Sequence, residues 1–185
     1  GQAIPFIGDY GISKNPESFA SESYRAYFTD KTRRAVMRLS KDGLTAISNH
    51  GMRDWFQDNL KPTVLSYGMQ AAEYLFGSYD DKKDEYNLTL KKHMFHVDDS
   101  ITLSFKEDSK GWVSFKSFVP ENALSMGNDY YTFKDGNLWK HHDEGVDRNT
   151  FYNIHTSSSV EVVLNDFPSS IKDFHTLNYE GSQSK

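Results

Sequence analysis

The chain has no cysteine among its 185 residues. That excludes a disulfide framework, thiolate catalysis and any cysteine-held metal. No run approaches the roughly 20 apolar residues that a membrane span needs. The N-terminus has no basic region followed by an apolar one, so a secretory leader is not expected. The first residue is Gly1, not Met, which is expected of a processed product, a tag remnant or a piece of something longer. Charge of one sign is also not concentrated: 21 Lys and Arg face 26 Asp and Glu, for a net charge of -5. A specific nucleic-acid or anionic-membrane surface needs a dense basic face, and neither is expected. Lys31, Arg33, Arg34 and Arg38 cluster in one stretch but read as a solvated turn and strand face.

Motifs of catalysis are missing too. Gly8-Asp9-Tyr10-Gly11 has two glycines without the Lys-Ser or Lys-Thr of a phosphate loop. There is no G-x-S-x-G elbow. Asp80, Asp81, Asp84 and Glu85 crowd one turn, whereas a glycosidase needs two carboxylates facing across a cleft. The same turn lacks the alternating oxygen ligands and central glycine of an EF-hand. An enzyme is therefore not expected, and no catalytic or cofactor-binding residues are assigned.

What is abundant is aromatic and turn-forming sequence. Eleven Tyr and thirteen Phe, with many Asp, Asn, Gly and Ser, suggest sheet. Residues 27–44, YFTDKTRRAVMRLSKDGL, read as an apolar start, a charged turn, an alternating strand and a second turn at Asp42-Gly43. The alternation assigns Ala35, Met37 and Leu39 to the core face and Arg34, Val36 and Arg38 to the other. Residues 76–90, FGSYDDKKDEYNLTL, and 130–139, YYTFKDGNLW, repeat the plan. Phe28, Tyr79 and Tyr131 recur about 50 residues apart, within the range of propeller blades.

The expected architecture is mainly β. Antiparallel hairpins, propeller-like or sandwich-like, carry one or two short helices. Residues 1–23 read as an extended arm with a helical turn at Pro16–Ala20, and 24–180 as a single β-rich domain, whole or cut from a larger protein. Residues 181–185 read as a tail. Asn49 reads as a helix N-cap before an apolar face of Met52, Trp55, Phe56 and Leu60, stopped near Pro62. Val64–Leu75 is ambiguous between helix and strand, with Tyr67, Ala71 and Tyr74 at helical spacing and Gly68 against it. Beyond it the sequence reads as strands throughout, including His93–Val97, Val160–Leu164 and Phe174–Tyr179, with a loop at Pro120–Asp129.

Candidate ligands are few. His93, His96, Asp98 and Asp99 invite a metal, but a strand points His93 and His96 to opposite faces. His141-His142-Asp143-Glu144 reads as a solvated turn, since adjacent strand residues diverge. No metal site is expected. Tyr131, Trp139 and Tyr152 are the aromatics best placed by pattern to stack on a sugar ring, beside Tyr130 and Phe151.

Several stretches together carry a resemblance: GDYGISKNPESFA, YRAYFTDKTRRAVMRLSKDGLTAIS, GMRDWFQDNL, GSYDDKKDEYNLTL, GWVSFKSFVPE, the YYTFKDGNLWKH hairpin, and NTFYN followed by VEVVLNDFPSSIKDF. The chain resembles virion structural, tail-associated proteins of tailed bacteriophages with β-propeller-like repeats. The resemblance implies a non-enzymatic component of a tail or tail-adjacent assembly, made in the host cytoplasm and located in the virion. It implies other virion proteins as partners and a homo-oligomer, and it carries no catalytic residues. The alternative is a carbohydrate- or receptor-binding module at a tail tip, with a host surface glycan as partner. Three hairpin units cannot close a propeller of four to eight blades. The chain is then expected to be a fragment, or to have its sheet completed by neighbours.

Overall fold

A computed structural model describes residues 8–12, 14–61, 73–94, 97–98, 100–164, 166–176 and 178. The expected stop at Pro62, the ambiguous stretch around Tyr67, Gly68 and Ala71, His96, Asp99 and the tail at 181–185 lie outside the described residues. The chain divides into two compact units, Gly1–Asp143 and Glu144–Lys185.

The first unit is mainly antiparallel sheet, as the hairpin pattern required. Strands β1 (Ala20–Glu22), β2 (Arg25–Asp30), β3 (Ala35–Ser40) and β4 (Gly43–Ala46) pair in that order. Helix α1 follows at Arg53–Asn59, then β5 (Glu73–Asp80), β6 (Glu85–Met94), β7 (Val97–Asp98), β8 (Ile101–Lys106) and β9 (Gly111–Lys116). These form a second sheet in the order β5-β6-β8-β9, with β7 on β6. A third sheet holds β10 (Asn122–Met126), β11 (Asp129–Lys134) and β12 (Asn137–Lys140). The second unit contains one hairpin, β13 (Thr150–Phe151) with β14 (Ile154–His155).

The charged turns explain the hairpins. Lys31–Arg34, Asp81–Asp84 and Glu107–Lys110 are four-residue turns whose last residue has a positive φ of 54°, 57° and 47°. In the first two, the aspartate ending the strand turns back and caps the loop. Asp30 Oδ1 accepts from the Arg33 amide at 3.0 Å, and Asp80 Oδ1 from the Lys82 and Lys83 amides at 3.1 and 3.2 Å. Such local bonding is why aspartate opens turns. The Glu107–Lys110 turn has the same positive φ at its last residue without the aspartate. Gly127-Asn128 and Asp135-Gly136 make two-residue turns with both φ positive, the geometry that suits the twist of a hairpin.

One apolar core joins the first two sheets. It contains Tyr27, Val36, Ile47, Phe56, Leu60, Leu75, Tyr79, Tyr86, Leu88, Leu90, Leu103 and Phe105. The expected helix face lines it, with Phe56 and Leu60 buried and Met52 and Trp55 packed alongside. The N-cap is Met52, not Asn49, because Ile47–Asn49 form a 3-10 turn of their own.

The face assignment of β3 is corrected. Val36 and Tyr27 face the shared core, so the Val36/Arg38 side is the inner one, although Ala35 and Met37 are also buried. Alternation misled here because Arg38 is inside with a counter-charge. Its guanidinium donates to Glu107 Oε2 at 2.8 Å. Two further corrections concern strands. The expected loop at Pro120–Asp129 contains β10. No strand forms over 160–164 or over the described part of 174–179, since among the described residues no strand pairs with either stretch to complete a ladder.

The N-terminal segment is anchored by a close approach. Pro16–Ser18 form a 3-10 turn, and Ser18 is fully buried. Its carbonyl accepts from the Tyr86 hydroxyl at 2.8 Å, and its hydroxyl accepts from the Thr29 amide at 2.9 Å. Gly77 on β5 permits this, because a Cβ there would lie 2.0 Å from the Ser18 carbonyl oxygen. The contact is with backbone and cannot be relieved by a rotamer change. Gly77→Ala should therefore cost about 3 kcal/mol or more as overpacking. A urea titration checks this by the fall in midpoint, with Gly111→Ala as the mild comparison.

Candidate functional site

The second sheet has two unlike faces. Leu75, Tyr79, Tyr86, Leu88, Leu90, Leu103 and Phe105 line the apolar one. The opposite face carries Ser78, Asp80, Asn87, Thr89, Thr102 and Ser104, all buried. Burying such groups is costly unless they bond, and here they bond one another. Thr89 and Thr102 hydroxyls lie 2.8 Å apart. Thr102 donates to the Phe118 carbonyl at 2.6 Å. Ser104 donates to Asn87 Oδ1 at 2.5 Å, and Lys116 pairs with Glu85 at 2.5 Å.

The third sheet docks on this polar seam. The Ser78 and Tyr130 hydroxyls are 2.7 Å apart. Ser125 Oγ donates to the Tyr79 carbonyl at 2.8 Å and accepts from the Asp81 amide at 3.0 Å. Asp129 bridges Lys82 and Lys140 at 3.1 and 2.6 Å. At the centre His142 Nε2 meets Asp80 Oδ2 at 2.6 Å, with the carboxylate 1% exposed. His142 reaches it from a left-handed backbone, φ 58°. That lets the chain turn after β12 and bring two adjacent imidazoles into one site. His141 is buried against the Phe118 and Tyr130 rings, centroids 4.9 and 5.1 Å away. Its Nε2 lies 2.7 Å from Thr132 Oγ1. The expected solvated turn at His141-His142 is thus a packed polar junction.

Three tyrosines form the other notable group. Tyr27 stacks on Tyr86 and Tyr79, with centroids 4.8 and 5.7 Å apart. Each hydroxyl is bonded: Tyr27 to Glu107 at 2.8 Å, Tyr79 to Asp84 and Tyr86 to the Ser18 carbonyl. Burial first, then the acidic partner, pushes the Tyr27 and Tyr79 phenols well above their ordinary pKa. They act as fixed donors. Glu107 also holds Arg38 and lies 3.8 Å from Arg25, so it ties β2 and β3 to the β8–β9 turn.

An Asp-His pair is the usual core of an acid–base centre, but here the hydroxyls around it bond each other. The arrangement holds two sheets together. Among the described residues no three His, Cys, Asp or Glu side chains converge on a metal position. Of the basic cluster, Arg33 pairs with Asp30 at 3.2 Å, Arg34 donates to the Gln57 carbonyl at 3.3 Å and Arg38 holds Glu107. Those three are structural.

The sugar-stacking candidates Tyr131 and Trp139 do not converge. Thr132 is opposite Trp139 and Tyr131 opposite Lys140 in the register, so Tyr131 and Trp139 lie on opposite faces of the third sheet. Trp139 donates its indole N–H to the Lys134 carbonyl at 3.4 Å. Tyr152 is in the second unit, in a two-residue turn with Asn153, φ 55° and 63°.

The family described as Crassvirus muzzle protein matches residues 8–136. The chain belongs to that family. The match begins at Gly8, just before the anchored turn, and spans the first two sheets and most of the third. A Crassvirus muzzle protein is a virion protein, so this chain is a structural component of the phage particle with other virion proteins as partners. No curated protein matches the chain. Among the described residues no helix is long and apolar enough to cross a membrane.

The buried imidazole makes the junction pH-dependent. Burial, with a smaller push from His142, lowers the His141 pKa from 6.5 to about 4. The unfolded chain then binds the proton first as pH falls, so His141 destabilises the fold progressively between pH 6.5 and 4. At full effect this is about 3 kcal/mol. His141→Gln, which keeps an amide beside Thr132, should flatten that part of the stability profile measured by urea unfolding at stepped pH.

Proposed function

We propose that this chain is a non-enzymatic component of the tail or a tail-adjacent assembly, working as a homo-oligomer in contact with other virion chains. The family match over residues 8–136 carries the reading. The polar seam supports it. Buried hydroxyls and ion pairs that bond across it hold sheets in one geometry, which suits a part that bears load and does not turn over substrate. Immunogold labelling of intact particles with antibodies to this chain tests the placement. Gold clustered at the tail end is expected. Label spread evenly over the capsid, or absent from particles, would contradict it.

A second reading is a carbohydrate- or receptor-binding module at a tail tip. Its support is the outer face of the third sheet, where half-exposed Tyr131 lies in register between Leu124 and Lys140. A stacking ring flanked by a polar head is a usual sugar platform. Binding on a glycan array that vanishes with Tyr131→Ala but survives Tyr152→Ala would favour this reading. Trp139→Ala then serves as the opposite-face control.

A further inference from the structure

One cluster on the polar face of the second sheet contains the parts of a covalent reaction. Glu85 and Asn87 stand two residues apart on β6, so both point to that face. Lys116, the last residue of β9, lies opposite Thr102 of β8 and shares the face. Its ammonium reaches over β8 to both of them. Nζ donates to Glu85 Oε2 at 2.5 Å and to Asn87 Oδ1 at 3.5 Å. Ser104 of β8, opposite Asn87 in the register, donates to the same Oδ1 at 2.5 Å. Water has little access. The Lys116 and Glu85 side chains are 17% and 13% exposed, Asn87 is buried, and the Phe118 ring lies 5.9 Å from Nζ.

The two ends of the Asn87 amide are treated unequally. Its oxygen holds two donors, yet its Nδ2, equally buried, has no partner among the described residues. An amide kept only for structure would use both ends, because an unsatisfied buried donor is costly. Donors on the oxygen stabilise negative charge that develops there. An unbonded nitrogen is free to depart. This is the arrangement of an acyl group ready to be attacked, with an amine and a carboxylate already beside it.

We infer that Lys116 and Asn87 join through an isopeptide bond, with Glu85 carrying the protons. Glu85 takes a proton from the Lys116 ammonium and leaves a neutral amine, which is the nucleophile. The flexible lysine tip moves from Oδ1 to Cγ and forms the new N–C bond, while the carbonyl electron pair shifts to oxygen beside the Ser104 hydroxyl. Glu85 hands its proton to Nδ2. The Cγ–Nδ2 bond then breaks as the carbonyl re-forms, and ammonia leaves. The extra proton on the new amide passes through Glu85 to the ammonia. One lysine ammonium and one side-chain amide thus give one secondary amide and one ammonium ion, with Glu85 again a carboxylate. The balance requires no oxidant and no further reactant. Holding the groups together offsets the poor reactivity of an amide. The bond ties β6 to β9 with β8 enclosed between them, and so braces the sheet on which the third sheet docks. It forms once per chain and involves no turnover, and it does not depend on the place of the chain in the particle.

Intact mass spectrometry of the denatured full chain tests this. The expected mass is that of the sequence less one ammonia. A protease digest should then yield a branched peptide that joins the segments around Asn87 and Lys116. Lys116→Arg keeps a cation for Glu85 without the amine, and Glu85→Gln removes the proton carrier. Both should show the full sequence mass, with circular dichroism confirming that the sheet has formed. An unsubstituted chain at full sequence mass, with no branched peptide, overturns the bond whatever the variants do. A loss of ammonia that persists in Lys116→Arg is a succinimide at Asn87 and overturns it as well. A branched peptide that forms equally in Glu85→Gln supports the bond and overturns the part given to Glu85.

Discussion

The Ser18 carbonyl resting on Gly77 is the point where three parts of the first unit meet. The N-terminal turn supplies the serine, β2 supplies the Thr29 amide to its hydroxyl, and β5 and β6 supply the bare Cα of Gly77 and the Tyr86 phenol. Tyr86 is then fixed for stacking on Tyr27, whose own hydroxyl reaches Glu107. Glu107 in turn gathers Arg38. A short chain of buried contacts thus runs from the N-terminal turn to the β8–β9 turn. The Ser18, Tyr86, Tyr27 and Glu107 groups in it are bonded, which lowers their desolvation cost, whereas Thr29 Oγ1 and Arg38 Nε are buried without a partner among the described residues. Charge-assisted bonds such as Arg38 to Glu107 contribute about 1.5–3 kcal/mol each when their partners stay paired.

On the far side of the second sheet the binding principle changes. Its polar face meets the third sheet through hydroxyls and the His142–Asp80 pair rather than through methyl groups. Bonds of this kind demand geometry, so they fix an orientation more tightly than grease does. For a virion component that is a useful property, because a subunit must present its edges at a defined angle to its neighbours.

The sequence made the hairpins legible because their determinants are local. Aspartate before a charged turn and Asp-Gly pairs are read within a few residues, and α1 declared itself through Phe56 and Leu60, whereas the Gly127-Asn128 turn lies inside a stretch that reads as loop. What failed depends on contacts distant in sequence. Arg38 looked solvent-facing because nothing near it announces Glu107, 69 residues away. The buried polar face of Ser78, Thr89 and Ser104 has no signature in the sequence, because the partners of these hydroxyls lie on other strands or distant segments. His141 looked like a turn residue for the same reason, and its Phe118 and Tyr130 neighbours are invisible to periodicity. Val160–Leu164 was read as a strand from composition, but a strand exists only when a second strand lies beside it.

Native-state hydrogen exchange on the Ser18→Ala chain tests the role of this contact most directly. In the unsubstituted chain, amides of β2–β3 and of β5–β6 should share one opening free energy, as parts of a single cooperative unit do. Loss of the hydroxyl frees the Thr29 amide and loosens the turn over Gly77. Protection should then fall further in β2–β3 than in β5–β6, separating the two sheets. Equal protection in both sheets after the substitution would show that the apolar core alone couples them, and would contradict the central place given to Ser18.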